Sequence, residues 1–157
     1  MRVGTGFDVH PFAAGRRLIL GGTLFEGETG LAGHSDGDAL THAIIDALLG
    51  AAALGDIGSH FPSDDERLRN ADSLELLKQV VKLIAASGCH IVNVDATVIA
   101  QTPRMAPRVS EMRRRLASAL AIDLGGVSIK ATTTDGLGFT GRGEGIAVQA
   151  IVLLEDA

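Results

Sequence analysis

Gly136-Leu137-Gly138-Phe139-Thr140-Gly141, continuing through Arg142-Gly143-Glu144-Gly145 into Ile146-Ala147-Val148-Gln149-Ala150-Ile151-Val152-Leu153-Leu154, is the stretch that separates two fold classes. Gly136, Gly138 and Gly141 satisfy the G-x-G-x-x-G spacing of a dinucleotide-binding turn, which in a doubly wound fold runs straight into a helix whose N-terminus holds the pyrophosphate. Here the run after the glycines, Ile146 to Leu154, reads as a strand, so the fingerprint lacks its helix. What remains is a glycine-rich loop entering a terminal strand. Arg142, with the hydroxyls and acid of Thr132-Thr133-Thr134-Asp135, suits either an anion site, since a guanidinium engages phosphate bidentately, or a turn with a structural arginine.

Upstream, Val127 to Thr134 reads as a strand, preceded by Gly125-Gly126 and by a helix over about Val109 to Ile122 that Pro103 and Pro107 set off. Ile91 to Ala100 is dense in β-branched residues, as a buried strand requires. Ser73 with Leu74, Leu77, Val81 and Ile84 marks a helix that stops at Gly88. A loop rich in Asp, Gly and Pro separates it from a helix that Asp38 can cap, whose stripe Leu40, Ala43, Ile44 and Ala47 carries it to about Ala53. Residues 2 to 10 read as a strand, Leu18 to Phe25 as a second with a glycine break or turn at Gly21-Gly22, and Glu26 to Gly37 as irregular. This order predicts an α+β fold, a mixed β-sheet covered on one side by helices, in a single domain spanning residues 1 to 157.

Composition bounds the function. Apolar residues at 46% and charged residues at 21% suit a folded globular core. A net charge of −5, with Arg113-Arg114-Arg115 as the only basic cluster, argues against nucleic acid, whose phosphates need clustered cations. The N-terminus lacks an apolar signal core, and Asp46 and Asp56 interrupt the most apolar stretch, Ala43 to Ile57. A cytoplasmic protein without membrane or nucleic-acid partners is expected. Cys89 is the only cysteine, so a metal must be held by imidazole and carboxylate.

Two spacings offer such ligands. Asp8 and His10, two apart on a strand, share a face, either as a hydrogen-bonded polar pair or as two arms of a metal site. Asp38, His42 and Asp46 lie within roughly 80° of arc on one helix face. They serve as cap and solvent contacts, or they offer an imidazole as third ligand. Asp8, His10 and His42 together supply two nitrogens and one oxygen around an open position, the donor set of a catalytic divalent site such as zinc, with Asp46 placed to orient His42. His34-Ser35-Asp36-Gly37-Asp38 leads into that helix as an ordinary capping turn or as donors for phosphate.

Together, Gly6-Phe7-Asp8-Val9-His10, His34-Ser35-Asp36-Gly37-Asp38, Gly55-Asp56-Ile57-Gly58 and Leu137-Gly138-Phe139-Thr140-Gly141-Arg142-Gly143-Glu144-Gly145 resemble the 2-C-methyl-D-erythritol 2,4-cyclodiphosphate synthase family over nearly the whole chain. The resemblance implies zinc on Asp8, His10 and His42, with His34 and Ser35 against substrate phosphate near the bond that breaks. It implies a homotrimer with active sites between subunits. Cytidine is expected between Ala100, Gln101, Thr102, Pro103, Arg104, Met105 and Ala106 on one side and Thr132 and Thr133 on the other, and erythritol against Asp56, Ile57, Gly58, Phe61, Pro62, Ser63, Asp64 and Asp65. His34 and Thr133 are the implied catalytic contacts. Thr134 and Asp135 follow in the same loop, with Asp135 as ligand of a second cation, magnesium or manganese, bridging the substrate's α- and β-phosphates. Phe139 and Arg142, with Glu144, fall near the trimer axis, where Phe139 either packs the trimer core or lines an apolar cavity.

The implied reaction, of the non-mevalonate isoprenoid pathway, converts 4-diphosphocytidyl-2-C-methyl-D-erythritol 2-phosphate to 2-C-methyl-D-erythritol 2,4-cyclodiphosphate and CMP by attack of the 2-phosphate on the β-phosphorus. The nucleophile is already ionised at neutral pH, so catalysis rests on positioning and charge screening. Family members commonly carry Glu, Lys and Asp where this chain has Asp135, Arg104 and Ser63. The shorter Asp135 reaches a cation through water, Arg104 keeps its charge, and Ser63 lacks an acceptor. A metal-dependent phosphoester hydrolase using the same triad on water and a nucleotide-binding module without turnover are the rival readings.

Overall fold

The computed structural model describes all residues, 1 to 157. Its strands β1 (Arg2–Leu20), β2 (Thr23–Leu31), β3 (Cys89–Ile99), β4 (Val127–Thr132) and β5 (Gly145–Asp156) form one sheet in the order β2-β1-β5-β3-β4. Only β3 and β4 are parallel; the β1/β2, β1/β5 and β3/β5 pairs are antiparallel. Helices α1 (Ala39–Ala51), α3 (Ser73–Ala86) and α4 (Val109–Leu120) cover one face, and the single turns α2 (Ile57–His60) and α5 (Gly138–Gly141) sit in loops. The expected mixed α+β sheet with helices on one side is what the chain forms.

Alternation explains the one-sided cover. In β5, Ile146, Val148, Ala150, Val152 and Leu154 are buried while Gln149 and Ile151 are exposed, and β3 repeats this with Val94, Ala96 and Val98. On β1 the inward positions are Gly4 and Gly6, and a methyl group at either would collide with the backbone of α1, at Ala47 and Ala43 respectively. Ala43, Ala47 and Ala51, four apart on α1, therefore rest directly on the strand. Leu40, Ile44 and Leu48 fill the interior beside them, each worth about 1.5–3 kcal/mol of burial. The opposite face leaves Val3, Phe7, Val9 and Ile151 exposed, Phe7 to 60%.

The N-terminal region differs from its sequence reading. The expected strands 2 to 10 and 18 to 25 are one long strand and the start of the next: β1 runs unbroken to Leu20, and Gly21 and Gly22, both at positive φ, make the hairpin turn into β2. Glu26 to Leu31, expected to be irregular, continues β2, because Leu31 and Gly30 pair with Phe12 and Ala13 of β1. Asp38 caps α1 as expected, but it lies fully buried, not on a polar stripe: it accepts from Thr41 N and Gly21 N at 2.9 Å and from Gly22 N and Thr41 Oγ1 at 2.7 Å. One carboxylate thus ties the helix start to the hairpin turn. Burial and Asp36 push its carboxyl up, and those donors oppose the shift.

Candidate active site

Close seating of α1 on Gly6 brings His42, in the helix's first turn, above Asp8 and His10 of β1, and the three donor atoms converge. His10 Nε2 lies 2.8 Å from Asp8 Oδ2, His42 Nδ1 lies 3.3 Å from the same oxygen, and the two nitrogens are 3.3 Å apart. A tetrahedral ion with arms of roughly 2.0–2.1 Å separates its ligands by about 3.3–3.4 Å. One zinc-sized ion can therefore touch all three.

The ring of His10 is turned by its neighbours. Its Nδ1–H donates to the Ala32 carbonyl, so in the neutral ring Nε2 presents a lone pair to the carboxylate. Asp8 Oδ2 is buried and, despite the nearby nitrogen, receives no hydrogen bond of acceptable geometry. Only a proton or a metal cation relieves such a convergence of electron pairs. Burial raises the Asp8 carboxyl, but the His10 and His42 rings beside it outweigh that and hold the group well below the usual carboxylate range. Burial lowers His10, and Asp8 more than compensates, raising it. On the far side of His42, Nε2 lies 2.9 Å from Ser73 Oγ and 3.1 Å from Ser35 Oγ.

A cleft of about 250 Å³ opens over the triad, lined further by His34, Ser35, Ile57, Gly58, Phe61 and Ser63 and backed by Leu68 and Leu76. His34 Nε2 donates to the Asp65 carbonyl at 2.8 Å, and Arg16 clamps the same loop from behind, donating to Ser35 O at 2.6 Å and Leu31 O at 3.2 Å. Asp56 caps α2 through Ser59 N at 2.8 Å and so presents Ile57 and Gly58 to the cleft. Asp56, Pro62, Asp64 and Asp65 do not line it. The Asp65 carboxylate pairs with Arg67 at 2.7 Å, which lowers its pKa to about 2. Asp46, expected behind His42, instead accepts the Ile57 amide at 2.7 Å. It fixes the cleft wall while the serines contact the imidazole.

A second cleft, of about 370 Å³, gathers Ala100, Gln101, Pro103, Arg104, Met105 and Ala106 from the loop after β3 with Ala131, Thr132 and Thr133 from the end of β4. Parallel pairing of β3 and β4 brings these loops together. Thr102 turns toward Glu28 and Thr29 in an adjoining depression. Asp135, at φ 53°, accepts from Thr133 Oγ1 at 3.2 Å, and Arg142 pairs with Glu144 at 2.7 Å in the exposed loop that also carries Phe139. Gly138–Gly141, expected as loop, forms the helical turn α5. Asp8, Val148, Val98 and Ala131 lie in one row across β1, β5, β3 and β4, so three strand spacings, roughly 14 Å, separate the clefts, which share no lining residue.

Sequence reading missed Ala32, Ser73 and Arg16. A backbone carbonyl leaves no residue signature, and nothing in linear spacing links Ser73 to His42 or Arg16 to Ser35.

The family model described as the YgbB family matches residues 1–155. The 2-C-methyl-D-erythritol 2,4-cyclodiphosphate synthase of Moorella thermoacetica is 56% identical over 99% of this chain and 96% of its own length. Among solved structures, the bifunctional IspDF from Campylobacter jejuni superposes with a TM-score of 0.96 at 44% identity, over 99% of this chain and 42% of that one. A Plasmodium falciparum IspF in complex with CDP gives 0.86 at 32% identity, over 99% and 96%.

Proposed function

The chain belongs to the YgbB family, and from that premise we propose that it converts 4-diphosphocytidyl-2-C-methyl-D-erythritol 2-phosphate to 2-C-methyl-D-erythritol 2,4-cyclodiphosphate and CMP. The observation that carries the reading is the convergence of Asp8, His10 and His42 at ligand spacing on the floor of a cleft whose rim is His34 and Ser35.

Asp8, His10 and His42 would hold zinc, which would supply Lewis-acid polarisation of a phosphoryl oxygen, and Asp135 would hold the magnesium or manganese that would screen the diphosphate. The remaining work is positional. His34 and Ser35 hold the β-phosphate over the triad, Ile57, Gly58, Phe61 and Ser63 fold the erythritol chain back on itself, and Thr133 holds the diphosphate from the cytidine side. The 2-phosphate oxygen then forms its bond to the β-phosphorus as the bond from that phosphorus to the bridging oxygen breaks. CMP leaves with that oxygen. No strong base is required, because the nucleophile is an anion before it attacks.

Cytidine is assigned to the cleft of Ala100 to Ala106, Thr132 and Thr133, with Arg104 beside its phosphate. The triad of one copy is matched with the cytidine cleft of another, as the family resemblance implies and in keeping with the roughly 14 Å that separates the two clefts of one chain. The exposed face of Val3, Phe7, Val9 and Ile151 supports such an assembly, a homotrimer, since apolar patches of this kind mark contact surfaces. No helix is long and apolar enough to cross a membrane, and the proposed compartment is the cytoplasm.

Incubation with the cytidine diphosphate substrate and mass analysis of the products tests the reading. CMP with a cyclic diphosphate supports it; CMP with a linear product heavier by one water would make the chain a hydrolase.

A further inference from the structure

We propose that Ser73 and Asp36 form a relay that dictates which ring nitrogen of His42 faces the metal. This inference rests on the zinc reading of Asp8, His10 and His42 and adds two positioning residues to it.

The argument is one of counting hydrogens. Ser73, the first residue of α3, is fully buried. Its amide donates to Asp36 Oδ2 at 2.9 Å, and its hydroxyl donates to Asp36 Oδ1, whose other partner is the Asp38 amide at 3.1 Å. A carboxylate only accepts, so the single Ser73 hydroxyl hydrogen is committed to Asp36. Toward His42 Nε2, 2.9 Å away, that oxygen can then only accept. Nε2 must carry the proton, and Nδ1, the atom 3.3 Å from both Asp8 Oδ2 and His10 Nε2, is left with its lone pair. His10 reaches the mirror arrangement through Ala32, with Nδ1 protonated and Nε2 free. Each ligand ring is thus locked by a different acceptor, one backbone carbonyl and one hydroxyl backed by an acid. The second consequence concerns Ser35. With the Nε2–H of His42 directed to Ser73, the Ser35 hydroxyl, 3.1 Å from the same nitrogen, has its own hydrogen to offer into the cleft.

Asp36→Asn reverses the relay. An amide donates where the carboxylate accepted, so the Ser73 hydroxyl can turn to His42 and favour the tautomer that blocks Nδ1. Ser73→Ala only removes the acceptor. Outer partners of metal-bound histidines typically change metal affinity about 10- to 100-fold when lost. The test is zinc affinity by competition with a chromophoric chelator, for the full chain and both variants, with helical circular dichroism of each zinc-free protein and turnover at rising zinc. Zinc binding weakened about 10- to 100-fold in Ser73→Ala and further in Asp36→Asn, with helical signal kept and turnover of Ser73→Ala recovering at saturating zinc, is the expected result. Recovery by zinc marks a role exerted through the metal, which loss of packing alone would not give. If the unaltered chain binds zinc and Ser73→Ala binds it as tightly, or if excess zinc restores nothing, the relay is wrong and the metal site stands. If the unaltered chain binds no zinc, the metal reading falls and the relay with it.

Discussion

His10 donates through Nδ1 to the Ala32 carbonyl, and this one bond aims its other nitrogen at Asp8. In the metal-free protein Asp8 therefore raises His10 above its ordinary value of 6.5. A base whose pKa is raised by folding adds stability that is fully present below its unfolded value and is lost as pH rises through the folded one. The metal-free protein should gain thermal stability as pH falls toward 6.5, whereas the zinc-loaded protein should lose it as protons displace the ion. Asp8, held low, adds stability that disappears only in stronger acid. Paired melting curves with and without chelator check this, and parallel pH trends would contradict it.

His42→Ala should lose most bound zinc and nearly all turnover while keeping its helical signal, because His42 sits in the first turn of α1 beside Asp8 and His10 and not in the apolar core. Elemental analysis of the purified variant decides the point. Full zinc occupancy would refute the assignment.

Gly6→Ala should be far more damaging than Gly15→Ala. A Cβ at Gly6 meets the Ala43 carbonyl, whereas one at Gly15 meets nothing, although its φ of 77° still costs strain. We expect roughly 3 kcal/mol of destabilisation at Gly6 and about 1 kcal/mol at Gly15, read by urea unfolding. Because the collision pushes α1 off β1, weakened zinc binding should accompany the loss at Gly6.

Phe7→Asp should dissociate the proposed trimer by placing a charge on the exposed face of β1, and sedimentation should then report a smaller species that binds zinc without turning over. Complementation is the sharper measurement. His42→Ala and Arg104→Ala chains, inactive singly, should regain activity when refolded together, since some sites then draw both clefts intact. No recovery on mixing would mean that each chain completes its own site.

Thr133→Val should lower kcat more than it changes KM, because a diphosphate contact that tightens as CMP departs acts on the transition state. An unchanged kcat would remove Thr133 from the reaction.

Much of this was readable in the residues. The terminal strand Ile146 to Leu154, the helix capped at Asp38 and the pairing of Asp8 with His10 all follow from short-range periodicity, which survives folding because burial enforces it. The length of β1 was hidden, since Pro11 to Arg17 acquires strand geometry only by pairing with residues well beyond it in the chain. The end of α4 was hidden too, as Ala121 takes a left-handed conformation there without a glycine to announce it. Asp46 was misassigned because helix spacing places a side chain on a face and does not say which neighbour occupies it.

The consequence of β1 reaches further than its residues. Its odd positions, Val3, Thr5, Phe7 and Val9, look outward, and its even ones, Gly4, Gly6, Asp8 and His10, look under α1. Deletion of Phe7 would exchange the two sets beyond that point, sending Asp8 and His10 outward and Val9 toward the helix side. The outward positions of this strand can change in letter but none of its positions can be lost, and natural relatives should vary at Val3, Thr5 and Val9 while keeping the count from Gly4 to His10 fixed.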